Sequence, residues 1–456
     1  MNVHAENLRQ AIQTHHAKVA LVGLGYVGLP LATGIAEGGF QVTGIDLDPN
    51  RVAKVNRGDS YIEDVPSARL GKLVRDGKLK AHEDFLPVQT SDVIIVCVPT
   101  PLDKSRTPDT SYIESAVEKA LPYLHAGQLL IMESTSYPGT LEDLVAVPLT
   151  KAGLKPGEEV LLVYSSERID PGNQSHHLQN VPKVIGGLTP QSTELACLFY
   201  QQALHVATCP VSSPSVAEMS KLLENTFRSV NVSMINELAQ LCDRMGIDIW
   251  EAIGAADTKP FGFKAFYPGP GVGGHCIPID PVYLSWKARQ YGFTPRFIEL
   301  AGEVNDTMPN YVVTQAMEVL NSRGKAMKGS SILVLGVAYK RDVADTRESA
   351  ALQIIELVQE RGGRVKYHDP FVPELRIGTQ NLHSVPLTAD ALRSSDLVVI
   401  TTDHSEVDYK LVSLHASLVY DTRNAMKAFP GPNVRLLGAP SHSGNDHGAK
   451  PETWSS

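Results

Sequence analysis

The chain has 456 residues, of which 43% are hydrophobic and 20% charged, and its formal net charge is −9. This length predicts two or three domains with sizeable cores, and the acidic balance, without a basic block, argues against a nucleic-acid partner. No apolar stretch reaches the ~18–20 residues of a membrane span, and the polar first residues lack a signal-peptide core, so we expect a cytoplasmic protein with no membrane partner.

Five cysteines are scattered along the chain: Cys97, Cys197, Cys209, Cys242 and Cys276. They include no C-x-x-C pair, which suits a reducing cytoplasm and argues against a disulfide framework and a zinc knuckle. His176 and His177 are adjacent, which is poor geometry for joint metal binding, so we interpret them as surface residues. No metal site is predicted.

The first predicted element is an apolar strand, 18–23. Its last residue, Gly23, begins the spacing G-x-G-x-x-G with Gly25 and Gly28, and a helical pattern follows. In a dinucleotide-binding turn, the first glycine makes the tight turn and the second lets the pyrophosphate approach. The third permits close packing of helix on strand, and the helix N-terminus faces the phosphates. The pattern therefore predicts a dinucleotide site.

A second predicted strand, 41–46, ends in Asp46. This carboxylate would accept hydrogen bonds from the ribose hydroxyls and repel a 2′-phosphate, so NAD is predicted rather than NADP. Tyr26 and Val27, inside the glycine pattern, are predicted to contact the same cofactor. Arg51 could stack on the adenine or remain a solvated surface side chain.

Further strands are predicted at 92–98, 128–133, 160–165 and 182–186, alternating with helical segments. This alternation predicts a mostly parallel, doubly wound sheet. The run 92–98 is apolar, as in a strand buried on both faces. It leads into Thr100, at a carboxyl end of the sheet where ligands bind.

A long helix is predicted from 215 to about 245, because Ser215 and Glu218 fit a capping box and no Pro or Gly follows before Gly246. It would be about 45 Å long, enough to bridge two domains or two subunits. A further helical region covers 296–323.

Between these helices, four glycines within 269–274 lead into Cys276, and Asp280 follows four residues later. Glycines let a backbone approach a ligand closely, and a thiol on such a loop is well placed to be a nucleophile. Free cysteine is also commonly a small core residue, so the segment alone leaves both interpretations open.

After 331 the alternation begins again, with strands at 332–336, 364–369, 397–402 and 418–421 and a helix at 349–361. Of the phosphate pattern only Gly336 remains, so this second α/β domain is not expected to bind the NAD pyrophosphate in the same way.

The predicted fold is therefore α/β, with two Rossmann-like doubly wound domains joined by a long central helix. The predicted domains are 18–213 for NAD binding, 214–325 for the central helical and dimerisation region with the cysteine loop, and 326–435 for UDP-sugar binding. Residues 436–456 are polar and rich in Gly and Ser, which predicts a disordered tail.

Several motifs resemble the UDP-glucose/GDP-mannose dehydrogenase family over residues 18 to about 430. They are Gly23-Leu-Gly-Tyr-Val-Gly28-Leu-Pro, Val98-Pro-Thr-Pro101, Glu133-Ser-Thr135-Ser-Tyr-Pro-Gly139, Ser166-Glu167-Arg168, Lys221-Leu-Leu-Glu-Asn225, Gly273-Gly-His-Cys276-Ile-Pro-Ile-Asp280 and Gly336-Val-Ala-Tyr-Lys340-Arg-Asp-Val-Ala-Asp-Thr-Arg347-Glu-Ser. The resemblance implies oxidation of a sugar-nucleotide C6 alcohol to a carboxylate with two NAD⁺ per turnover.

The resemblance also implies the roles of the catalytic residues. The Cys276 thiolate would add to the aldehyde made by the first oxidation, because a second hydride cannot leave without an added nucleophile, and the thioester then formed would be hydrolysed. Lys221 and Asn225 would hold and polarise the reacting oxygen. Their i,i+4 spacing places them on one helical face. Two polar residues on a solvated helix face would show the same spacing, which is the alternative interpretation. Asp280 would hold a water or transfer a proton.

Thr135 and Glu167 are implied to serve water activation and thioester hydrolysis. The residues implied as substrate contacts are Glu167, Arg168, Lys221, Asn225, Gly273 and Lys340. The residues implied as cofactor contacts outside the nucleotide turn are Thr100, Thr135 and Arg347.

Three segments resemble the branch of the family that acts on N-acetylated UDP-hexosamines. Pro171 stands where UDP-glucose enzymes often carry a second Glu, Ile279 where they tend to carry Lys, and 259–263 lacks the Arg usual in UDP-N-acetylmannosamine enzymes. The resemblance implies UDP-N-acetylglucosamine as substrate, for bacterial surface polysaccharides such as lipopolysaccharide. UDP-N-acetylmannosamine and UDP-glucose are the alternatives.

Two other functions are weighed against this one. A two-electron dehydrogenase of hydroxy acids leaves the Cys276 loop unexplained. An inactive nucleotide-sugar sensor is opposed by the presence of the proposed Cys, Lys, Asn and Asp.

The long helix also predicts a homodimer or larger assembly, because its apolar surface exceeds what one domain contact readily covers. The apolar positions are Val216, Met219, Leu222, Leu223, Phe227, Val230, Met234, Leu238 and Leu241.

Overall fold

The computed structural model of the protein describes residues 3–62, 64–103, 105–168 and 180–440. Contacts within the chain divide it into two units. The first unit comprises the described residues up to Thr226 and the segment Ile279–Pro295. The second comprises Phe227–Pro278 and the described residues from Arg296 onward.

An eight-stranded sheet is the frame of the first unit. Its strands are β1 (Lys18–Val22), β2 (Gln41–Ile45), β3 (Leu79–His82), β4 (Val93–Val96), β5 (Leu129–Met132), β6 (Leu161–Ser165), β7 (Lys183–Gly187) and β8 (Thr208–Val211). Their spatial order is β3-β2-β1-β4-β5-β6-β7-β8, and neighbours are parallel except β6 and β7. The order reverses between β1 and β4, which is where a doubly wound sheet binds its ligand.

Helices cover both faces of this sheet, so its central strands are apolar throughout. In β1, Val19 and Leu21 belong to one core and Ala20 and Val22 to the other. The helices are α1 (Val3–Gln13), α2 (Gly28–Glu37), α3 (Pro49–Arg57), α4 (Ser67–Arg75), α5 (Ser111–Ala120), α6 (Val147–Lys151) and α7 (Pro190–Leu204). The predicted doubly wound fold is confirmed, although β7 pairs with β6 in the antiparallel direction, which needs no crossover helix.

The long helix, α8 (Pro214–Met245), passes from the first unit into the second and has 32 residues. The predicted capping box was wrong, because Pro214 starts the helix, a position that proline favours. The hydroxyl of Ser213 accepts the hydrogen bond from the Val216 amide at 3.3 Å. The next helices are α9 (Ile249–Asp257), α10 (Asp280–Gln290), which belongs to the first unit, and α11 (Arg296–Asn321).

A five-stranded parallel sheet is the frame of the second unit. Its strands are β9 (Ser331–Leu335), β10 (Arg364–His368), β13 (Leu397–Ile400), β14 (Val419–Asp421) and β15 (Val434–Leu436), and β11 (Glu374–Ile377) and β12 (Gln380–His383) lie outside it. The order in the sheet is β10-β9-β13-β14-β15. The helices are α12 (Ala350–Glu360), α13 (Ala389–Arg393) and α14 (Tyr409–His415). β11 and β12 form a separate antiparallel hairpin that the sequence analysis did not predict.

The predicted tail begins too early at 436. Leu436 ends β15, and Leu437 is fully buried in the core of the second unit. Residues 441–456 lie outside the described residues, as do Pro171, His176 and His177.

An ion pair is enclosed in the first unit beside the sheet. The Lys183 ammonium lies 2.7 and 2.9 Å from the two carboxylate oxygens of Glu133, and both residues are buried. The Tyr200 hydroxyl donates a hydrogen bond to Glu133, and the ammonium lies 4.7 Å from the centre of the Tyr200 ring. These contacts compensate two charges that would otherwise be strongly penalised in the core.

Lys183→Met is expected to lower the free energy of unfolding by about 3–5 kcal/mol, because it leaves the Glu133 charge buried without its partner. Urea unfolding of the purified variants measures this. The double variant Lys183→Met/Glu133→Leu is expected to recover part of the loss. Additive losses in the double variant would show that the two charges do not stabilise each other.

Candidate active site

The turn between β1 and α2 has the geometry expected of a dinucleotide site. Gly23 has a φ of +95°, and a Cβ there would lie 2.5 Å from the carbonyl oxygen of Cys97. A Cβ at Gly28 would lie 1.8 Å from the Gly23 carbonyl oxygen, whereas a Cβ at Gly25 would have no neighbour within 4 Å. The first and third glycines are therefore required by packing, and the second faces space in which a pyrophosphate fits.

Asp46 follows β2 and is held beside this turn. Its carboxylate accepts hydrogen bonds from the Leu24 and Asp48 amides, both at 2.9 Å. The Arg51 guanidinium lies 3.4 Å from the Asp46 carboxylate and 6.0 Å from the Tyr61 ring centre. Arg51 is thus half-exposed and paired with Asp46, which neither sequence interpretation stated.

The other predicted cofactor residues of this unit lie near the same turn or after the neighbouring strand. Tyr26 is half-exposed, and Val27 immediately precedes α2. The carbonyl oxygens of Thr100 and Pro101, after β4, accept hydrogen bonds from the Tyr283 hydroxyl at 2.9 and 3.2 Å. Tyr283 on α10 therefore fixes the loop at the carboxyl end of β4.

We expect kcat/KM to be higher with NAD⁺ than with NADP⁺, because the Asp46 carboxylate opposes a 2′-phosphate. Asp46→Ser should lower the ratio of kcat/KM with NAD⁺ to kcat/KM with NADP⁺ by about tenfold or more. This is the size of one lost charge repulsion or one lost charged hydrogen bond. Initial rates with both cofactors measure it, and Asp48→Asn is the matched control. A preference for NADP⁺ in the unchanged protein would refute the assignment.

Lys221 and Asn225 lie on the buried face of α8, so the solvated-face alternative is wrong: they are 5% and 1% exposed. The Lys221 ammonium donates to the carbonyl oxygen of Glu167. The Asn225 amide donates to the carboxylate of Asp280, which begins α10 and is buried. Within the first unit, the structure therefore joins these four predicted residues in two hydrogen-bonded pairs, each with one partner on α8.

Two further predicted residues follow strands at the same edge of the sheet. Thr135 follows β5 and is half-buried. Arg168 follows β6, and its guanidinium binds the Glu224 carboxylate at 2.6 Å and the Pro182 carbonyl oxygen at 2.8 Å. These protein partners fix Arg168 in place, and its contact with substrate stays a prediction.

Glu218, one turn before Lys221 on α8, anchors the loop that contains Thr135. Its carboxylate accepts hydrogen bonds from the backbone amides of Gly139 at 2.6 Å and Leu141 at 3.0 Å. Burial raises the pKa of the Glu218 carboxyl to about 7.

Glu218→Gln is expected to change how stability depends on pH. The carboxyl keeps its proton in the folded state up to a pH of about 7, whereas the unfolded chain loses it near ~4.3. The folded state therefore binds more protons in this interval, and the free energy of unfolding falls as pH rises through it. Urea midpoints from pH 4.5 to 8 should show a flatter slope in Glu218→Gln but not in Glu237→Gln. Equal slopes of urea midpoint against pH in the two variants would show that Glu218 does not cause this pH dependence.

The glycine loop before Cys276 belongs to the second unit and is packed against protein. A Cβ at Gly273 would lie 2.7 Å from the Glu348 carbonyl oxygen and 2.8 Å from the Tyr339 Cβ. Gly274 has a φ of +87°, and its amide donates to the Arg347 carbonyl oxygen at 3.1 Å. These glycines are therefore required by the neighbouring loop, in addition to any ligand.

Cys276 itself is half-buried, unlike the core thiols Cys97 and Cys242. Its neighbour His275 has a pKa lowered by burial and by the positive charge of Arg347, so its imidazole is neutral at neutral pH. Cys276 is therefore not a core residue like Cys97 and Cys242, and its role as the nucleophile stays a prediction.

Lys340 and Arg347 lie on the loop that follows β9. The Arg347 guanidinium pairs with the Asp345 carboxylate at 2.6 Å, and Lys340 follows Tyr339, which packs against Gly274. The predicted site residues of the second unit are Gly273, Cys276, Lys340 and Arg347. Those of the first unit include Lys221, Asn225, Asp280, Glu167 and Thr135.

A cavity of about 680 Å³ lies within the second unit and was not predicted from the sequence. Its lining includes Trp250, Tyr267, Arg341, Asp403, Arg423 and Lys427. The Trp250 and Tyr267 rings are stacked, with centres 5.7 Å apart, and the Arg423 Nε donates to the Thr401 carbonyl oxygen at 2.9 Å. Arg423 follows a predicted strand at its carboxyl end, which is the one signal that could have located the cavity.

Across the described ranges, no group of three or more His, Cys, Asp or Glu side chains is arranged to hold a metal ion. Within the same ranges, no helix is both long and apolar enough to cross a membrane.

Three models of the UDP-glucose/GDP-mannose dehydrogenase family match the chain. Its NAD binding domain matches residues 17–204, its central domain 215–307 and its UDP binding domain 333–428.

Relatives of established name match along nearly their whole length. A UDP-N-acetyl-D-mannosamine dehydrogenase of Methanococcus maripaludis is 33% identical, over 92% of this chain and 97% of its own. A UDP-N-acetyl-D-glucosamine 6-dehydrogenase of Pseudomonas aeruginosa is 36% identical, over 85% of this chain and 91% of its own. The solved structure of the UDP-N-acetyl-D-mannosamine dehydrogenase of Pyrococcus horikoshii has a TM-score of 0.84 at 33% identity, over 92% of this chain and 99% of its own. The chain therefore belongs to the UDP-glucose/GDP-mannose dehydrogenase family and is an NAD-dependent UDP-sugar dehydrogenase.

Proposed function

We propose that the protein oxidises C6 of UDP-N-acetylglucosamine to the uronic acid, with two NAD⁺ reduced per turnover, for bacterial surface polysaccharides. The observation that carries the four-electron chemistry is the half-buried Cys276 thiol on its glycine loop. A two-electron dehydrogenase has no need of such a nucleophile.

In the first oxidation, Lys221 and Asn225 hold the C6 oxygen, the hydroxyl proton passes to solvent by way of Asp280, and a hydride leaves C6. NAD, when bound, supplies the hydride acceptor for both oxidations. The product is an aldehyde, to which the Cys276 thiolate adds to form a thiohemiacetal. The positive charge of Lys221 stabilises the oxyanion formed in this step.

The second hydride leaves the thiohemiacetal carbon and produces a thioester on Cys276. Water, positioned by Thr135, Glu167 and Asp280, attacks the thioester carbonyl. The thiolate then leaves, and the sugar departs as a carboxylate.

The cavity of the second unit is proposed to bind the UDP moiety. Arg341, Arg423 and Lys427 offer positive charge for the two phosphates, and the stacked rings of Trp250 and Tyr267 offer an apolar surface for the base. The match of 333–428 to a UDP binding domain supports this assignment.

The choice of sugar rests on the family resemblance of 259–263 and Ile279 and on the 36% identity to a UDP-N-acetyl-D-glucosamine 6-dehydrogenase. Ile279 packs in an apolar cluster with Leu222 and Tyr283, a place unsuited to the Lys of UDP-glucose enzymes. Relatives named for UDP-N-acetyl-D-mannosamine, at 33% identity, favour that sugar as the second candidate.

NADH formation by the purified protein tests the proposal with UDP-N-acetylglucosamine, UDP-N-acetylmannosamine, UDP-N-acetylgalactosamine and UDP-glucose. We expect the highest kcat/KM with UDP-N-acetylglucosamine and two NADH per sugar oxidised. A higher value with UDP-N-acetylmannosamine would support the second candidate. One NADH per sugar would refute the four-electron chemistry, and no turnover of any sugar would support an inactive sensor.

We also propose that α8 pairs with its copy in a homodimer. The outer face of the helix carries many apolar residues, whereas its buried face carries polar residues beside apolar ones, which is unusual for a surface helix. The exposed apolar residues are Val216, Met219, Leu223, Phe227, Met234, Leu238, Leu241 and Met245. Leu222, predicted for this face, is instead fully buried. Light scattering at micromolar concentration should give a dimer or larger assembly, and a monomer would refute the pairing.

A further inference from the structure

His404 follows β13 in the second unit and is completely buried between loops from three strands. These loops follow β9, β10 and β13 at the carboxyl edge of the sheet. The ring of Phe371 packs against the imidazole, with centres 5.0 Å apart. The cavity assigned to UDP is lined by residues of two of these loops.

The hydrogen bonds of His404 determine which imidazole nitrogen carries the proton. The backbone amide of Asp342 donates to Nδ1 at 2.9 Å, so Nδ1 is unprotonated. Nε2 therefore carries the proton and donates to the Asp369 carboxylate at 3.0 Å. The same carboxylate oxygen accepts from the amides of Val337 and Ala338, at 2.7 and 3.1 Å.

The Asp342 amide belongs to a strained turn in the wall of the cavity. Asp342 has a φ of +57°, which is uncommon for a residue with a side chain. Its carboxylate accepts from the Ser405 amide at 2.7 Å, and the preceding Arg341 pairs with Asp403 at 3.2 Å. Arg341, Asp403 and Ser405 all line the cavity, so the His404–Asp342 bond holds the turn that aims Arg341.

We propose that His404, in its neutral Nε2–H form, is a positioning residue for the UDP moiety: it aims Arg341 at the diphosphate without touching the substrate. This inference rests on the proposed binding of UDP in the cavity. Asp369 directly follows β10 as Asp46 directly follows β2, but the Asp369 carboxylate is fully engaged by backbone amides and His404. The carboxylate at this strand end therefore serves the protein's own loops.

Two substitutions separate the two hydrogen bonds of the imidazole. In His404→Asn, the amide oxygen can replace Nδ1 as acceptor for the Asp342 amide. In His404→Gln, the amide nitrogen can replace Nε2 as donor to Asp369, but no acceptor remains for Asp342. His404→Gln therefore loses the hydrogen bond to the Asp342 amide, and His404→Asn loses the hydrogen bond to the Asp369 carboxylate.

Calorimetric titration with UDP alone is expected to show a Kd raised about tenfold in His404→Gln, the effect of one lost hydrogen bond. In His404→Asn the Kd should stay within about threefold. The KM for the UDP-sugar should follow the Kd, whereas kcat and the KM for NAD⁺ should change less than about twofold. Thermal unfolding of each variant reports the stability cost separately.

The pair Arg341→Ala and Arg341→Ala/His404→Gln tests whether His404 acts through Arg341. If it does, the double variant binds UDP as weakly as Arg341→Ala alone, and additive losses would overturn the inference. If His404→Gln does not fold, Asp342→Ala, which removes the acceptor for the Ser405 amide, should raise the Kd of UDP as well.

Equal Kd values for UDP in the unchanged protein, His404→Gln and His404→Asn would overturn the positioning role and leave a role in stability alone. Failure of the unchanged protein to bind UDP would instead refute the assignment of the cavity in the proposed function.

Discussion

Cys276→Ser is expected to lower steady-state NADH formation by several orders of magnitude while the Kd values for NAD⁺ and UDP stay near those of the unchanged protein. The second oxidation requires a covalent adduct at C6, and a serine hydroxyl is a far poorer nucleophile than a thiolate at neutral pH. Absorbance at 340 nm with the UDP-sugar measures turnover, and calorimetry measures binding.

Cys209→Ser is the matched control, because Cys209 is exposed and lies outside the proposed site. Its activity should equal that of the unchanged protein. Near-normal NADH formation by Cys276→Ser would remove Cys276 from the proposed mechanism.

Lys221→Met is expected to lower kcat by about 10²–10⁴-fold, the loss usual for a group that stabilises charge or transfers a proton in the transition state. Methionine fills similar volume at this buried position but can neither donate to the Glu167 carbonyl oxygen nor stabilise an oxyanion. The Kd for NAD⁺ should change little, because the nucleotide turn lies after β1.

Arg244→Met, an exposed cation replaced on the same helix, is the control for general effects on α8. A kcat for Lys221→Met within tenfold of normal would show that Lys221 does not hold the reacting oxygen.

The sequence predicted the first sheet well because its strands are buried on both faces and their apolar runs are continuous. The unpredicted strands are short, polar or at an edge. β8 contains Pro210 and ends the sheet, where a missing amide is tolerated. β11 and β12 form a hairpin outside both sheets, and more than half of their residues are exposed.

The site residues that belong to short sequence motifs could also be predicted from the sequence. Gly23 and Gly28 of the nucleotide turn have a positive φ or close contacts that only glycine allows. The i,i+4 spacing of Lys221 and Asn225 correctly placed them on one face of a helix. Spacing could not show that this face is buried, since both solvated and buried faces repeat in the same way.

The sequence by itself therefore determined the α/β class, the NAD turn, the acid that follows β2 and the glycine loop that carries Cys276, because each depends on residues close together in the chain. Only the tertiary structure decided the cavity between Trp250 and Arg423, the Glu133–Lys183 pair and the bridge from His404 to Asp342 and Asp369. Each of these joins side chains from distant segments, and such contacts follow from how the elements pack rather than from any local pattern.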